Sequence, residues 1–245
     1  MEIDVGGSWK ARLLSPATLA LHQAMVPRLR RQASGRLLDV GCGVMPFRRY
    51  VDRLVSTYHA SDREARVPDL DFLSDVQSRL PIRPNTYDLV LCSQVLEHVP
   101  DPSKAIAEMA RVLRPSGVLV LSAPHLSRLH EEPFDYYRFT RHALVSLLEH
   151  HGFEELEIVP AGSLFSFLGH QLSSILVSSS WRVPILRQVV FWLNALLVTF
   201  PCNALDSVLP GRRRLPLNYV VIARRGRGRG GGTSANASLS SRQGG

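Results

Sequence analysis

A glycine pair near the start of the chain is the first feature that indicates chemistry. It lies in the stretch LLDVGCG, residues 37–43, where an apolar run ends and Gly41 and Gly43 follow with one residue between them. Glycine lets the backbone turn sharply and lie close to a ligand. A dinucleotide-binding loop would have a third glycine where this chain has Pro46, and no phosphate-binding Gly-Lys-Ser/Thr sequence follows. The pair therefore predicts a nucleotide-like ligand that is neither NAD nor FAD.

Two aspartates near the glycine pair are also candidate ligand-binding residues. Asp62 ends the second predicted strand, where a carboxylate can accept hydrogen bonds from both hydroxyls of a ribose. In the alternative interpretation it is a surface aspartate that caps the next turn. Asp39 stands before the glycines and either lies near the ligand or is a buried acid that only braces the loop through backbone amides.

A loop dense in titratable and aromatic side chains occupies residues 124–140, PHLSRLHEEPFDYYRFT. Loops beside a ligand site often carry function, and histidine is an apt proton acceptor because its free pKa is about 6.5. The candidate catalytic groups are His130, His125 and Asp135, and the candidate substrate contacts are Tyr136, Tyr137, Arg138 and His98. Alternatively, Asp135 and Arg138 form a local ion pair, the tyrosines and histidines are structural, and Thr140 caps the next helix.

These residues follow predicted strands that alternate with predicted helices. The strands are at 36–40, 57–61, 69–73, 87–93, 118–122, 154–159 and 217–223, and the helices at 15–32, 45–54, 101–113 and 140–151. This alternation is typical of βαβ units. It predicts an α/β fold, a Rossmann-like, doubly wound, mainly parallel seven-stranded sheet with helices on both faces. Ligands of such sheets bind at the carboxyl ends of the strands.

An apolar helical insert, residues 164–209 with predicted breaks at Pro184 and Pro201, precedes the last strand. Its longest nearly apolar run, Val189–Phe200, is expected to be too short to span a bilayer. The insert packs over the core or forms a homodimer contact, or alternatively it is a lid or membrane-surface face for a lipid-linked acceptor. Nearby arginines could then meet anionic head groups: Arg182, Arg187 and Arg212–Arg214. We divide the chain into an N-terminal helical segment (1–35), a main domain (36–225) and a disordered Arg/Gly/Ser tail (226–245).

The basic charge is concentrated at the C-terminus. The chain carries a formal net charge of +8, and residues 211–245 contain eight arginines and no acid, so residues 1–210 are close to neutral. Nucleic acid is therefore a disfavoured partner, although the RGRGRG stretch keeps RNA as an alternative. Cys42, Cys92 and Cys202 are far apart, which argues against a zinc site or a disulfide framework and suits a reducing cytoplasm. The N-terminus lacks a signal-peptide pattern, so we expect a cytoplasmic protein, at most peripheral at the inner membrane surface.

An ordered series of motifs resembles a known family. LLDVGCG, YHASD, LPIRPNTYDLVLCSQVLEHVPDPSKAIAEMARVLRPSGVLVLSAP and HHGF are similar to the class I S-adenosylmethionine-dependent methyltransferases, in particular the type 11 methyltransferase domain, over roughly residues 36–160. The resemblance implies S-adenosylmethionine as the cofactor. It assigns Asp39, Gly41 and Gly43 to the methionine part, Asp62 to the ribose, Asp75 and Val76 to the adenine, and Ser93 and Gln94 to the methyl-transfer edge. The chain departs from the pattern at Val44-Met45, where a small residue is usual, and in the spacing of Asp75 from Leu80-Pro81.

The resemblance implies a methyltransferase that acts by direct in-line displacement. The stretch from His130 to Thr140 is similar to a branch associated with glycan or lipid-linked sugar pathways, which implies a small-molecule or lipid-linked acceptor. A sulfonium methyl group is already activated, so positioning supplies much of the acceleration and no metal is expected. The alternatives are an RNA methyltransferase that uses the basic tail and a methyltransferase-like scaffold without turnover.

Overall fold

A seven-stranded sheet forms the centre of the protein. The computed structural model describes residues 15–180, 184–209 and 215–227, without the side chains of 178–180 and 184–187. The strands are β1 (Arg36–Val40), β2 (Thr57–Asp62), β3 (Phe72–Leu73), β4 (Tyr87–Ser93), β5 (Leu113–Pro124), β6 (Phe153–Ala161) and β7 (Asn218–Arg225). Their order is β3-β2-β1-β4-β5-β7-β6, and only β7 runs antiparallel to its neighbours. The predicted doubly wound, mainly parallel sheet is confirmed.

Helices cover both faces of the sheet. They are α1 (Pro16–Gln32), α2 (Arg48–Val51), a short 3₁₀ helix (Leu96–His98), α3 (Pro102–Val112), α4 (Arg141–His150), α5 (Leu164–Ser180), α6 (Pro184–Asn194) and α7 (Phe200–Val208). One core lies between the sheet and α3 and α4, and includes Ile106, Met109 and Leu144. The other lies beneath α1 and α2, and includes Leu29 and Val51. Both faces are therefore apolar, as a central parallel sheet requires.

Three helices begin with a capping side chain, at Ser15, Asp101 and Thr140. Side chains of Ser15, Asp101 and Thr140 accept hydrogen bonds from backbone N–H groups of the first turns of α1, α3 and α4, at 3.3, 3.2 and 3.1 Å. Each bond satisfies one of the N–H groups that a helix start leaves without a partner. Thr140 is thus a helix cap, as the structural interpretation of that residue holds.

The predicted helix at 45–54 is wrong in its bounds. Met45 has a φ of 53°, which a helical residue cannot adopt, and the chain makes successive turns until α2 begins at Arg48. Other bounds differ less: β3 has only two residues, and β5 begins at Leu113, ahead of the turn residues 114–117 that we expected to precede it.

The predicted break at Pro201 is also wrong. A π-helical stretch, Ala195–Thr199, joins α6 to α7, and Pro201 lies in the first turn after it, so the helix continues without interruption. Proline lacks the N–H that a regular helix would use at this position, and the π-helical stretch directly before it changes the local hydrogen-bond pattern. Gln188–Val208 is thereby a 21-residue helix that is long and apolar enough to cross a membrane by length and composition. The expectation that no run in the insert is long enough is therefore corrected.

The insert leaves and rejoins the sheet at one edge. Ala161, the last residue of β6, pairs with Asn218, the first residue of β7, and Asn218 also pairs with Pro124 at the end of β5. Because β6 is parallel to β5, α5 starts at the carboxyl ends of the parallel strands. Of the parallel strands before β6, β5 has its carboxyl end nearest to the insert, because Pro124 pairs with Asn218.

Candidate active site

The glycine loop and Asp62 meet at the carboxyl ends of β1 and β2. Gly41 and Gly43 have φ values of 64° and 53°, which glycine adopts without steric cost. The N–H of Gly43 donates to Oδ2 of Asp62 at 2.8 Å, and the N–H of Glu64 donates to Oδ1 at 3.1 Å. Apart from Gly43 and its two chain neighbours, no atom of the described residues lies within 4 Å of where a Cβ of Gly43 would be. The loop is held against Asp62 and keeps open space beside Gly43, which suits the predicted cofactor.

Asp39 is a buried acid, 3% exposed. The hydroxyl of Tyr58 donates to its Oδ2. Burial raises the pKa of Asp39 to about 7, against the lowering effect of the Tyr58 hydrogen bond and with a further increase from the charge of Asp62. The bracing partner is therefore a tyrosine side chain rather than the loop amides considered from the sequence. Its contact with the methionine part of the cofactor stays a prediction.

The residues predicted to meet adenine lie further along the same edge. Asp75 accepts hydrogen bonds from the backbone N–H and the side-chain amide of Gln77, at 3.0 and 3.2 Å. Val76 is buried in the core with Leu80. Asp75 thus has local partners in a turn, and the assignment of Asp75 and Val76 to adenine stays a prediction.

The segment after β4 lies directly on the glycine loop. Ser93 Oγ is 2.9 Å from Ser122 Oγ, and the Gln94 side chain donates to the same hydroxyl at 3.2 Å. A Cβ at Gly41 would come within 2.5 Å of Val95. Gly41 is therefore required for the close approach of residues 94–98, and the predicted methyl-transfer edge of Ser93 and Gln94 adjoins the cofactor loop.

The loop at 124–140 folds over this segment. Backbone N–H of Tyr136 donates to the carbonyl of Glu97 at 2.8 Å, and the hydroxyl of Tyr137 donates to the carbonyl of Pro100 at 2.9 Å. On its other side the loop reaches the residues after Asp62, where Arg63 lies over the ring of Phe134, 4.9 Å from its centroid. The loop therefore closes the space between the ends of β2 and β4, with Tyr136 partly exposed.

Asp135 and Arg138 form a two-point ion pair inside that loop. Arg138 Nη1 lies 2.6 Å from Asp135 Oδ1, and Nη2 lies 2.7 Å from Oδ2. The guanidinium lowers the pKa of Asp135 to about 2. A carboxylate so committed is a poor proton acceptor, which favours a positioning role for Asp135 over the predicted catalytic one. The local ion pair weighed as the alternative is present.

His130 and His125 lie apart and differ in surroundings. Backbone N–H of His130 donates to Asp135 at 2.8 Å, and its Nδ1 lies 3.3 Å from the same carboxylate. Burial, followed by the charge of His98, lowers the pKa of His130. His125 instead lies at the end of β5, where its Nδ1 donates to the carbonyl of Phe139 at 3.0 Å and its ring packs on Tyr219. Of the two, His130 is the one beside residues 97–98.

Glu97 is the site residue that sequence reasoning missed. It lies in the 3₁₀ helix after β4, fully buried, and burial raises the pKa of its carboxyl group to about 8. The available signal was an acid in the apolar stretch VLEHV, directly after a strand that ends at the predicted site. Perturbed carboxyl groups of this kind cluster at functional sites.

Comparison with known proteins identifies the class of protein that this fold and edge define. The profile of the family described as "Methyltransferase domain" matches residues 12–158. The chain belongs to this methyltransferase family, and the resemblance to class I S-adenosylmethionine-dependent methyltransferases is confirmed. The matched residues are a methyltransferase domain of the S-adenosylmethionine-dependent class.

The relatives are distant and matched over part of their length. A Mycolicibacterium smegmatis protein named "Probable S-adenosylmethionine-dependent methyltransferase" is 29% identical over 148 residues, 54% of this chain and 58% of the relative. A ubiquinone biosynthesis O-methyltransferase of Xanthomonas euvesicatoria is 32% identical over 103 residues, 37% of this chain and 43% of the relative. The chain thus spans about half the length of these curated relatives. A solved S-adenosylmethionine-dependent methyltransferase from Archaeoglobus fulgidus has the same fold, with a TM-score of 0.54, 19% identity, and coverage of 83% and 94% of the two chains.

Proposed function

We propose that this methyltransferase acts on a lipid-linked acceptor that it takes from a membrane surface through α5–α7. The observation that carries the proposal is an exposed apolar face on these helices, which depart from the sheet beside the end of β5 and the loop 124–140. S-adenosylmethionine, when bound, supplies an activated sulfonium methyl group, and the chain's part is to hold the acceptor in line and exclude water.

Fourteen large apolar side chains of residues 164–209 are each at least 37% exposed. On α5 they recur every three or four residues, which places them on one stripe. On the long helix of α6 and α7 they recur in the same way, opposite its buried residues. The full set is Leu164, Leu168, Leu172, Ile175, Leu176, Val189, Trp192, Leu193, Leu196, Leu197, Phe200, Leu205, Val208 and Leu209. Apolar patches of this extent are characteristic of membrane or partner contacts.

The position of this face supports an acceptor site. Ala161, Asn218 and Pro124 are paired across β6, β7 and β5, so α5 departs from the edge that holds the loop 124–140. His170 of α5 shows the proximity: after burial, the charges of Arg128 and His130 in that loop lower its pKa, to about 4. An acyl or isoprenoid chain lying on the insert would bring its head group to this edge.

The attachment of α7 supports contact with a membrane surface rather than a crossing. Asp206 accepts hydrogen bonds from the N–H groups of Ser163, Phe165 and Ser166 at the start of α5, at 2.9, 3.0 and 2.9 Å. Asn203 donates to the carbonyl of Pro16 in α1 at 3.4 Å. These bonds tie the long helix to the catalytic domain along its C-terminal half. The arginines that we predicted beside head groups, Arg182 and Arg212–Arg214, lie outside the described residues, and the side chain of Arg187 is not described.

The relative named as a ubiquinone biosynthesis O-methyltransferase also supports an apolar acceptor, because ubiquinone is a lipid. A glycan carried on a lipid would satisfy the same geometry. The RNA alternative depends on the basic tail, which from residue 228 lies outside the described residues. The rest of the chain is close to neutral, which counts against RNA as the acceptor. A peripheral location at the inner membrane surface follows from the proposal.

Vesicle flotation tests the membrane step. Full-length protein is mixed with vesicles of phosphatidylglycerol and phosphatidylcholine, and the floated fraction is compared with that of L196D and L197D. Leu73→Asp is the matched control, because Leu73 is 60% exposed and Leu196 64%, but Leu73 lies on β3 at the far edge of the sheet. We expect the wild type and the Leu73→Asp control to float and the two insert variants to stay in solution.

Transfer of label from methyl-labelled S-adenosylmethionine into the organic phase of a lipid extract tests the acceptor class. Labelling that depends on the protein supports a lipid-linked acceptor, and label confined to RNA or to water-soluble molecules contradicts it. If the protein stays in solution and sediments as a dimer that L196D dissociates, the apolar face is a homodimer contact and the membrane step is wrong.

A further inference from the structure

A carboxylate and two imidazoles meet beneath the loop 124–140. One ligand atom each from Glu97, His98 and His130 lies within 4.8 Å of the other two. The two histidine rings are edge to face, with centroids 4.8 Å apart. We infer that these three side chains bind a divalent transition-metal ion.

Glu97 is the residue that points to a ligand. Its side chain is 0% exposed, and within the described part of the chain neither carboxyl oxygen has a hydrogen-bond partner on another residue. A buried carboxyl group without partners is costly, and folded proteins rarely leave one. Oε1 lies 3.9 Å from Nε2 of His98, too far for a hydrogen bond. A metal ion with bonds of about 2.0–2.2 Å holds its ligand atoms roughly 3–4 Å apart, so an ion would fit that separation.

The neighbouring cation does not satisfy Glu97. Arg138 acts on it electrostatically, but both terminal nitrogens of the guanidinium are bonded to Asp135, at 2.6 and 2.7 Å. The nearby acids have cations of their own: Glu131 lies 3.8 Å from Arg66, and Asp135 is held by Arg138. Glu97 is therefore the acid of this region whose charge a bound cation would balance.

Both histidines are oriented as metal ligands are. Nδ1 of His98 lies 2.8 Å from the carbonyl oxygen of Phe134, and Nδ1 of His130 lies 3.3 Å from Oδ2 of Asp135 and 3.3 Å from the carbonyl oxygen of Arg128. These oxygens only accept, so each Nδ1 carries the hydrogen and each Nε2 keeps its lone pair. Metal-binding histidines are typically fixed by such a carboxylate or carbonyl partner on the second nitrogen.

The ligand types select the class of ion. Two imidazoles with one carboxylate suit Zn²⁺, Co²⁺ or Fe²⁺, whereas Mg²⁺ and Ca²⁺ prefer oxygen ligands throughout. Three protein ligands leave a coordination position for water or another oxygen. Because residues 97–98 follow Ser93 and Gln94, an acceptor oxygen could take that position; this last role rests on the proposed function, whereas ion binding does not. Metal binding would then be the role of His130, in place of the predicted proton acceptance.

Titration of Zn²⁺ and Co²⁺ into full-length protein tests the site. The protein is prepared without a histidine tag, freed of metal by chelation, and titrated by calorimetry without cofactor or acceptor, so the result is independent of the proposed function. The variants are Glu97→Gln, which keeps the side-chain volume, and His130→Gln. His150→Ala is the control, because His150 and His151 form a similar edge-to-face pair at 5.0 Å and the pair is not part of the cluster.

We expect one equivalent of Zn²⁺ to bind, a higher melting temperature with Zn²⁺ than with Mg²⁺, and a Co²⁺ absorption spectrum without a thiolate band. Glu97→Gln and His130→Gln should each weaken binding roughly tenfold or more, and His150→Ala should leave it unchanged. Absence of binding to the wild type, or equal binding to Glu97→Gln and the wild type, would overturn the inference. A thiolate band would place the ion on a cysteine and would also overturn it.

Discussion

The carboxylate of Asp62 and the backbone N–H of Gly43 are joined by a 2.8 Å hydrogen bond across the ends of β1 and β2. The residue predicted to hold the ribose therefore also fixes the loop predicted to hold the methionine part. A carboxylate has enough lone pairs to keep this bond and accept ribose hydroxyls as well.

Asp62→Ala should therefore weaken cofactor binding more than the loss of one contact. Hydrogen bonds to a charged group contribute about 1.5–3 kcal/mol each, so we expect S-adenosylhomocysteine affinity to fall at least about tenfold. Calorimetric titration measures this affinity, with Asp69→Ala as the control because Asp69 is an exposed acid whose ion pair in the described structure is with Arg48. Unchanged affinity in a folded Asp62→Ala variant would contradict the ribose assignment.

Three glycines in the left-handed region separate backbone strain from ligand contact. Gly43 and Gly152 have positive φ values, and an added Cβ at either would have no neighbour within 4 Å among the residues that the structure describes, whereas a Cβ at Gly41 would meet Val95 at 2.5 Å. Gly43→Ala and Gly152→Ala should each cost about 1–2 kcal/mol of unfolding free energy, and Gly41→Ala more. Only Gly43→Ala and Gly41→Ala should lose cofactor affinity. Urea unfolding measures the loss of stability, and calorimetry measures cofactor affinity. Normal cofactor binding by Gly43→Ala would contradict the prediction that the cofactor occupies the open space beside Gly43.

Removal of the Asp135 carboxylate should loosen the loop over the site. The side chain of Asp135 is 1% exposed and that of Arg138 is 22% exposed, so Asp135→Asn leaves a largely buried guanidinium without its counter-charge. We expect a loss of roughly 2–4 kcal/mol in unfolding free energy and faster proteolysis within residues 124–140. Asp52→Asn, in the exposed pair with Arg48, should cost less than about 1 kcal/mol. Similar losses in the two variants would show that the buried pair has no special role.

Asp39 should make the protein less stable as pH rises. Its folded pKa, about 7, lies above the ordinary value near 4, so the folded state holds the proton more tightly than the unfolded state. The stabilisation is complete below about pH 4, is lost as pH rises to about 7, and then stays level, with a total of a few kcal/mol. Asp39→Asn should flatten this part of the profile, measured by urea unfolding between pH 5 and pH 8. Equal slopes in the variant and the wild type would contradict the raised pKa.

The strands and the glycine loop could be predicted because they depend on local patterns. Each of these features depends on residues that are close together in the chain: the apolar run before Gly41, the cap at Thr140, and the alternation of strands and helices. Two features could not be predicted in this way. The short α2 depends on the left-handed turn at Met45, and the continuous helix through Pro201 depends on the π-helical stretch before it.

The loop residues show the same limit within the site. From the sequence alone, Asp135 could be a catalytic group or the partner of Arg138, and only the packing of the loop distinguishes the two roles. The burial of Glu97 arises when residues 134–137 fold onto the 3₁₀ helix through Tyr136 and His98. A contact between segments nearly forty residues apart leaves no periodic signal in the chain.

The antiparallel strand β7 has a consequence for how such an enzyme can diversify. Ala161 and Asn218 are paired across β6 and β7, so the chain that connects them begins and ends at two adjacent positions whose separation is set by the sheet. A longer, shorter or differently charged connection would leave the register of every strand intact. If the insert receives the acceptor as we propose, replacing residues 162–217 would change acceptor preference while the glycine loop and Asp62, on the opposite half of the sheet, keep their positions.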